Sequence, residues 1–188
     1  MTNVSLLEVE AIRRRIAGAH QRAAAQFRDA YARRPVPPIA HLQMLTDELL
    51  SETEGIRIDG RAYQIKDNLI TPNYENFDVD RTPSAIFEYW MIISEITGST
   101  SWRMTRVIAT AEEYDEALRR MQSPQIVRAI VASFLPAVDV ARAMLEVMVY
   151  TRAQEERVER RTLVLDASNE FHFHGRELIA EGRGGVPL

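Results

Sequence analysis

One long apolar run constrains the fold of this chain more than any other feature of its sequence. Of the 25 residues from 126 to 150, 19 are apolar. After Pro136 only three positions of the run are polar, and their spacing of three and four residues forms one narrow stripe on a helix. A Ser-Pro pair just before the run is a typical helix start. The pattern therefore predicts a buried central helix over about 124–150, broken or kinked at Pro136.

Charged residues within this run argue against a membrane span. Arg128, Asp139, Arg142 and Glu146 all lie inside it. Each charge near the centre of a bilayer costs roughly 2.5–3.5 kcal/mol, whereas each apolar side chain returns about 0.3–0.6 kcal/mol. The charges erase the gain, so no membrane span is expected. The run should instead be covered by the rest of this chain or by a partner.

Composition narrows the class of protein. With 188 residues, the chain is expected to form a single domain over 1–188. The absence of cysteine excludes disulfides and thiolate metal sites. A net charge of −4 makes nucleic acid an unlikely main partner, even though the first helix carries an arginine-rich face. The first ten residues do not resemble a signal peptide, so a cytoplasmic protein is expected, or a virion protein if the chain is viral.

Apolar stripes at spacings of three and four residues predict further helices around the central one. Capping boxes, in which Ser or Thr is followed three residues later by Glu, mark helix starts at Ser5 and Thr110. The expected fold class is therefore α+β and predominantly helical, with six or seven helices packed around the central helix and two small β-hairpins. The other main helices are predicted at about 5–34, 39–54, 84–97 and from 110 onwards.

Two segments carry the signals of short β-hairpins, and two others are expected to lack regular structure. An Asp-Gly pair within 56–65 supplies the positive φ values of a type I′ turn. Alternating apolar residues on either side of Asn169 predict a second hairpin at 162–174. Polar residues 66–82 are predicted to form a long irregular loop, and glycine-rich residues 182–188 a flexible tail.

The second hairpin carries the clearest candidate for chemistry. His172 and His174 are two residues apart on a strand, a spacing typical of metal ligands. Glu177 or Asp166 could add a carboxylate, and a metal-bound water could be the nucleophile. The predicted ligands of a divalent metal are therefore His172, His174 and Glu177. Two other interpretations of the pair are possible. The histidines could be exposed or packed side chains without a ligand, or they could act in general acid–base catalysis. Apolar pairing sets Leu165 opposite Phe171, Leu163 opposite Phe173, Val164 opposite His172 and Thr162 opposite His174.

The Phe-His-Phe-His run at 171–174 resembles the zinc-binding strand of α-type carbonic anhydrases over this short stretch. The resemblance implies zinc at the two histidines. The predicted fold has no large β-sheet to supply a third histidine, so the activity of that family is not carried over.

Two classes of function follow. The first is a non-enzymatic interaction or assembly protein, acting through helix-mediated self-association or as a subunit of a larger particle. The second is a metal-dependent enzyme or metal sensor that uses His172 and His174. The sequence contains no phosphate-binding glycine loop, HExxH motif or nucleophile elbow. Whether the protein is an enzyme is left undecided by the sequence. The interface of a homo-oligomer or of a protein partner is predicted at Val138, Leu145, Met148, Val149 and Arg152.

Overall fold

The protein combines a layer of helices with a large antiparallel β-sheet, as a computed structural model shows. The described residues are 1–33, 35–37, 39–98, 105–129, 133–152 and 155–184. Over these residues the four α-helices are α1 (Leu6–Arg33), α2 (Ile39–Ser51), α3 (Pro83–Ile96) and α4 (Ala111–Arg120).

Eleven β-strands occur in the same parts of the chain. They are β1 (Thr2–Asn3), β2 (Ile56–Ile58), β3 (Tyr63–Lys66), β4 (Leu69–Pro72), β5 (Phe77–Val79), β6 (Thr105–Val107), β7 (Gln122–Ile126), β8 (Ala137–Asp139), β9 (Met144–Thr151), β10 (Glu155–Leu165) and β11 (Phe171–Arg183). Seven of them form one sheet in the order β1-β8-β9-β10-β11-β7, with β6 also paired to β9. Two small sheets pair β2 with β5 and β3 with β4.

Helices cover both faces of the large sheet. Successive side chains of a strand point to opposite faces. Val147 and Val149 of β9 belong to the core cluster that includes α1, α2 and α3. The alternate residues Met148 and Tyr150 cluster with Ala117 of α4 on the other face. The strand β9 is thus buried on both faces and is the centre of the sheet.

The predicted central helix at 124–150 is wrong, and so is the predominantly helical fold class. This segment contains β7, β8 and β9, and the architecture is mixed α+β. A strand buried on both faces needs an apolar side chain at nearly every position, so its periodicity cannot be told from that of a buried helix. Within the described residues, no helix has both the length and the apolarity that crossing a bilayer requires.

The polar stripe of the predicted helix has a different origin. Asp139 Oδ1 accepts a hydrogen bond from the Arg142 N–H at 3.2 Å in the turn after β8. Glu146 lies further on, in β9, opposite Thr162. Their helical spacing is therefore accidental. Pro124 is tolerated in β7 because this is an edge strand, where a missing N–H need not break a ladder.

The helix segments predicted outside the apolar run are confirmed, but the expected number of six or seven helices is wrong, because the described residues form four. The helices α1, α2 and α3 match the predicted segments within a few residues. Thr110 Oγ1 accepts a hydrogen bond from the Glu113 N–H at 3.2 Å, as its capping box requires. The helix buried on all sides is α3, in which every residue from Ala85 to Ile96 is buried. The buried central helix of the fold is therefore α3, and not the segment 124–150 for which it was predicted.

The first predicted hairpin is also wrong. Strand β2 pairs with β5, and β3 turns back onto β4 instead. Two consecutive positive φ values, as a type I′ turn requires, occur at Asp67 (51°) and Asn68 (60°) between β3 and β4, whereas in the Asp-Gly pair only Gly60 has a positive φ (99°). Residues 66–82, predicted to be irregular, contain β4, a 3₁₀ helix at Tyr74–Asn76 and β5. In the predicted tail 182–188, the first two residues belong to β11 and residues 185–188 lie outside the described residues.

Candidate functional site

The β10–β11 hairpin follows the predicted register only near its turn. The three residue pairs next to the turn are confirmed, including His172 opposite its predicted neighbour. One step further, Thr162 lies opposite Gly175 and not opposite His174, because the register shifts there. An extra residue in one strand is a β-bulge, which breaks the regular alternation of side chains. His172 and His174 therefore do not occupy equivalent positions of one regular strand, as their spacing of two residues had predicted.

Three potential metal-binding side chains converge at the turn of this hairpin. Ligand atoms of Asp166, Glu170 and His172 all lie within 4.8 Å of one another. Asp166 Oδ2 is 2.7 Å from His172 Nε2. Asp166 Oδ1 accepts hydrogen bonds from the backbone N–H groups of Ser168 and Glu170 at 2.8 and 2.9 Å. We call Asp166, Glu170 and His172 the turn cluster.

The other two predicted ligands, His174 and Glu177, are not part of the turn cluster. Glu177 forms ion pairs with Arg128 and with Arg160, the latter at 3.5 Å. Sequence reasoning missed Glu170 as a ligand. The available signal was the closed turn itself, because Asp166 and Glu170 flank it and the N–H of the first donates to the carbonyl of the second at 3.0 Å.

Asp166 and His172 favour each other's charged form. The hydrogen bond with His172 lowers the pKa of Asp166, and the same contact raises the pKa of His172. Their side chains are 35% and 56% exposed. A metal ion binds the deprotonated imidazole, so proton and metal would compete for the His172 ring.

The turn is anchored to the body of the protein. Tyr89 Oη donates a hydrogen bond to the Asn169 carbonyl at 2.8 Å, and the Asn169 side chain donates to the Phe77 carbonyl at 2.6 Å. The Tyr89 ring also packs against Phe171 with centroids 5.9 Å apart. Asn169 adopts the left-handed conformation, with φ 62°. These contacts fix the frame that carries the turn cluster.

The far end of the α1–α2 helical hairpin is a second candidate site. The buried residues of α1 end at Ala23, and those of α2 begin at Leu45. At about 1.5 Å per residue, the rest of α1 extends roughly 15 Å beyond its last buried side chain. We call residues 24–33 and 39–44 the hairpin tip.

The hairpin tip exposes large apolar side chains. Tyr31 is 60% exposed and Leu42 is 42% exposed. Between them, the Phe27 ring lies 6.1 Å from the ring of Tyr31 and 5.3 Å from that of His41. These ring contacts hold the two helices together and leave Tyr31 and Leu42 open to solvent.

Four of the five predicted interface residues are covered by the chain itself. The fifth, Arg152, has a half-exposed side chain and lies 3.7 Å from Glu156 Oε1. A partner could reach the other four only if the sheet opened. The exposed hairpin tip is therefore a better surface for association. The four buried residues are Val138, Leu145, Met148 and Val149.

The arginine-rich face of α1 is largely occupied by ion pairs. Arg13 contacts Glu113 at 2.7 Å, and Arg15 contacts Glu88 at 2.6 Å. Arg22 pairs with carboxylates at the end of α2. These arginines attach α1 to the neighbouring helices, which leaves less free positive charge for a nucleic acid.

Comparison of the chain with protein-family models, with curated proteins and with solved structures gives no match. Its function is therefore inferred from its own residues.

Proposed function

We propose that this protein is a non-enzymatic interaction protein that self-associates through the hairpin tip. The observation that supports this is the projection of two helices whose exposed side chains include Tyr31 and Leu42. Aromatic residues are enriched at protein interfaces, because they bury a large area at a small cost in conformational entropy. A second copy would cover both side chains. A twofold dimer is the expected arrangement, since it is the commonest closed assembly.

Charges around these side chains suit a second copy of the same surface. Arg28 and Asp29 are adjacent and exposed, and neither forms an ion pair with another described residue. A twofold axis brings the same patch of both copies together, so an arginine of one copy can approach an aspartate of the other. The hairpin tip is thus self-complementary in charge as well as apolar.

Substitution of either exposed side chain should disrupt the dimer. We expect Tyr31→Glu and Leu42→Glu each to weaken self-association at least about tenfold, equivalent to about 1.4 kcal/mol. Sedimentation velocity over a series of micromolar concentrations measures this directly. The matched control is Leu7→Glu, because Leu7 is 80% exposed at the opposite end of α1. A wild-type protein that is monomeric at every concentration, or an equal effect of Leu7→Glu, would contradict the proposal.

A metal-dependent function is the second candidate, and the turn cluster supports it. One imidazole and two carboxylates are a donor set suited to Zn²⁺ and to other divalent transition metals. Asp166, Glu170 and His172 would hold the ion, and solvent would occupy its remaining positions. Bound there, the metal would supply Lewis acidity or an activated water. The revised ligand set thus keeps His172 and replaces His174 and Glu177 with Asp166 and Glu170.

Zinc titration separates the two ligand sets. By isothermal titration calorimetry, His172→Ala should bind Zn²⁺ at least about tenfold more weakly than the wild type, a loss of about 1.4 kcal/mol. His174→Ala is the control and should bind as the wild type does. Loss of binding in His174→Ala would favour the original ligand set. Absence of zinc binding by the wild-type protein would reject this second function.

A further inference from the structure

A phenol and a carboxylate are buried side by side on the face of the large sheet that α4 covers. Tyr150 of β9 is opposite Val158 of β10, and Glu156 lies two residues before Val158. Residues two apart on a strand point to the same face, so Glu156 is a diagonal neighbour of Tyr150. Tyr150 is 5% exposed and Glu156 is 2% exposed. Both polar groups are therefore removed from bulk solvent.

Two atoms of this pair have no hydrogen bond within the part of the chain that the structure describes. They are Tyr150 Oη and Glu156 Oε2, and both are buried. The ion pair of Glu156 with Arg152 uses the other carboxylate oxygen, Oε1, at 3.7 Å. A buried polar atom without a hydrogen bond is costly, so such atoms are nearly always satisfied by the chain or by an ordered water. The two atoms therefore mark a place where another molecule contributes hydrogen bonds.

The chemistry of the two groups defines what this molecule must offer. Burial, together with the neighbouring Glu156 carboxylate, raises the pKa of Tyr150 to about 12. The phenol therefore keeps its proton at neutral pH and can donate one hydrogen bond, whereas a carboxylate can only accept. The occupant must accept a hydrogen bond from Tyr150 Oη and donate one to Glu156 Oε2.

The size and the charge of the surroundings favour a small neutral occupant. A cavity of about 10 Å³ adjoins Tyr150, which is about the smallest space that holds one water molecule. Arg106 and Arg120 line this cavity, and both form ion pairs with carboxylates of α4. Glu156 is itself paired with Arg152. Because these charges already have partners, neither a cation nor an anion is needed to balance them.

We propose that one water molecule binds between Tyr150 and Glu156, where it accepts a hydrogen bond from the phenol and donates one to the carboxylate. Such a water lets β10 carry an acidic side chain on a buried face, because the carboxylate keeps part of its hydration. The water would lie between the sheet and α4, as a fixed part of the fold. This site is separate from the hairpin tip and does not depend on self-association.

A high-resolution crystal structure of the wild-type protein tests the proposal directly. We expect one ordered water that is about 2.7–2.8 Å from both Tyr150 Oη and Glu156 Oε2. A metal ion at this place would bind closer, at about 2.0–2.6 Å from the oxygens, and would overturn the proposal. A direct hydrogen bond between the two side chains with no water beside it would also overturn the proposal, as would a site without ordered density.

Variants test the same site in solution, where relaxation dispersion of water oxygen-17 nuclei detects water molecules that stay bound to a protein. Tyr150→Phe should lose the signal of one bound water, because the water keeps only one of its two partners. Glu156→Gln should retain the signal, since an amide oxygen accepts the same hydrogen bond, whereas a cation would need the carboxylate charge. Tyr114→Phe is the matched control and should retain the signal, because Tyr114 is a partly buried tyrosine of the same apolar cluster. Equal signals from the wild type and Tyr150→Phe, or loss of the signal in Glu156→Gln, would overturn the proposal.

Discussion

Replacement of Arg15 by methionine is expected to destabilise the protein by roughly 3–5 kcal/mol at neutral pH, because it leaves a buried carboxylate without its partner. That carboxylate belongs to Glu88 of α3, which is 2% exposed. The Arg15 Nε and Nη2 atoms donate to Glu88 Oε1 at 2.9 and 2.6 Å. The Glu54 N–H donates to Glu88 Oε2 at 3.2 Å, which is the contact that remains in the variant.

The cost of this substitution should depend on pH. Burial raises the pKa of Glu88 above its ordinary value of 4.5, even with Arg15 in place. Loss of Arg15 should raise the pKa further. A raised pKa means that the folded state binds a proton more tightly than the unfolded state, so stability rises as the pH falls through the folded-state pKa. The difference in the free energy of unfolding between the wild type and Arg15→Met should therefore decrease on acidification while the pH is still above 4.5.

Urea unfolding at neutral and mildly acidic pH measures both effects. The matched control is Arg14→Met, because Arg14 is exposed on the same helix and should change the free energy of unfolding by less than about 0.5 kcal/mol. The double variant Arg15→Met/Glu88→Gln should recover part of the loss, since no charge remains buried. A deficit that stays constant with pH would show that Glu88 is not its source.

Sequence periodicity identifies elements with one buried face and fails for elements buried on both. The helix α1 carries Ile12, Ile16 and Ala19 toward the core and polar residues elsewhere, so its stripe could be read directly. Neither α3 nor β9 has such a stripe, because both are surrounded. Thr82 followed by proline is the N-terminal cap of α3, whereas the similar Ser-Pro signal at Ser123 lies in β7 and was misleading.

At the candidate metal site, the sequence predicted the local strand pairing but not the features that depend on distant residues. Apolar alternation in 162–174 was enough to place His172 beside the turn, because that pairing is local. The bulge at His174 inserts one residue between two stretches of regular pairing, and the alternation of apolar residues does not record this insertion. The pairing of β2 with β5 was missed for a similar reason, since its partners are separated by the β3–β4 hairpin.

A second ion pair, which is partly buried, should respond to pH in a different range. Glu113 Oε1 accepts a hydrogen bond from Arg13 Nη1 at 2.7 Å, and its Oε2 accepts the Ala109 N–H at 2.7 Å. Arg13 Nη2 also donates to the Val107 carbonyl at 2.8 Å. The two side chains are only 12% and 15% exposed, and together they join α1 to β6 and to the start of α4. Removal of Glu113 therefore removes contacts between elements that are distant in sequence.

We expect Glu113→Ala to destabilise the protein by about 3 kcal/mol, since a buried N–H and most of the Arg13 charge lose their partner. Arg13 keeps its contact with Glu10 at 2.8 Å, which places the effect at the lower end of the range for broken buried pairs. Glu112→Ala is the matched control, because Glu112 is the exposed neighbour in α4 and its loss should cost less than about 0.5 kcal/mol.

The pH dependence of this pair follows from the opposite shift of its carboxyl group. Burial alone would raise the pKa of Glu113, but the hydrogen bonds from Arg13 and Ala109 outweigh it and lower the pKa below 4.5. A lowered folded-state pKa gives stability that is complete above the unfolded-state value and is lost as the pH falls through the folded-state value. The difference in the free energy of unfolding between the wild type and Glu113→Ala should thus stay constant from neutral pH down to about 4.5 and decrease only below it.

Urea unfolding of the wild type and both variants across this pH range tests which difference decreases first. The loss of stability in Arg15→Met must begin to decrease at a higher pH than the loss in Glu113→Ala. A deficit of Glu113→Ala that narrows first would contradict the assignment of the two pairs.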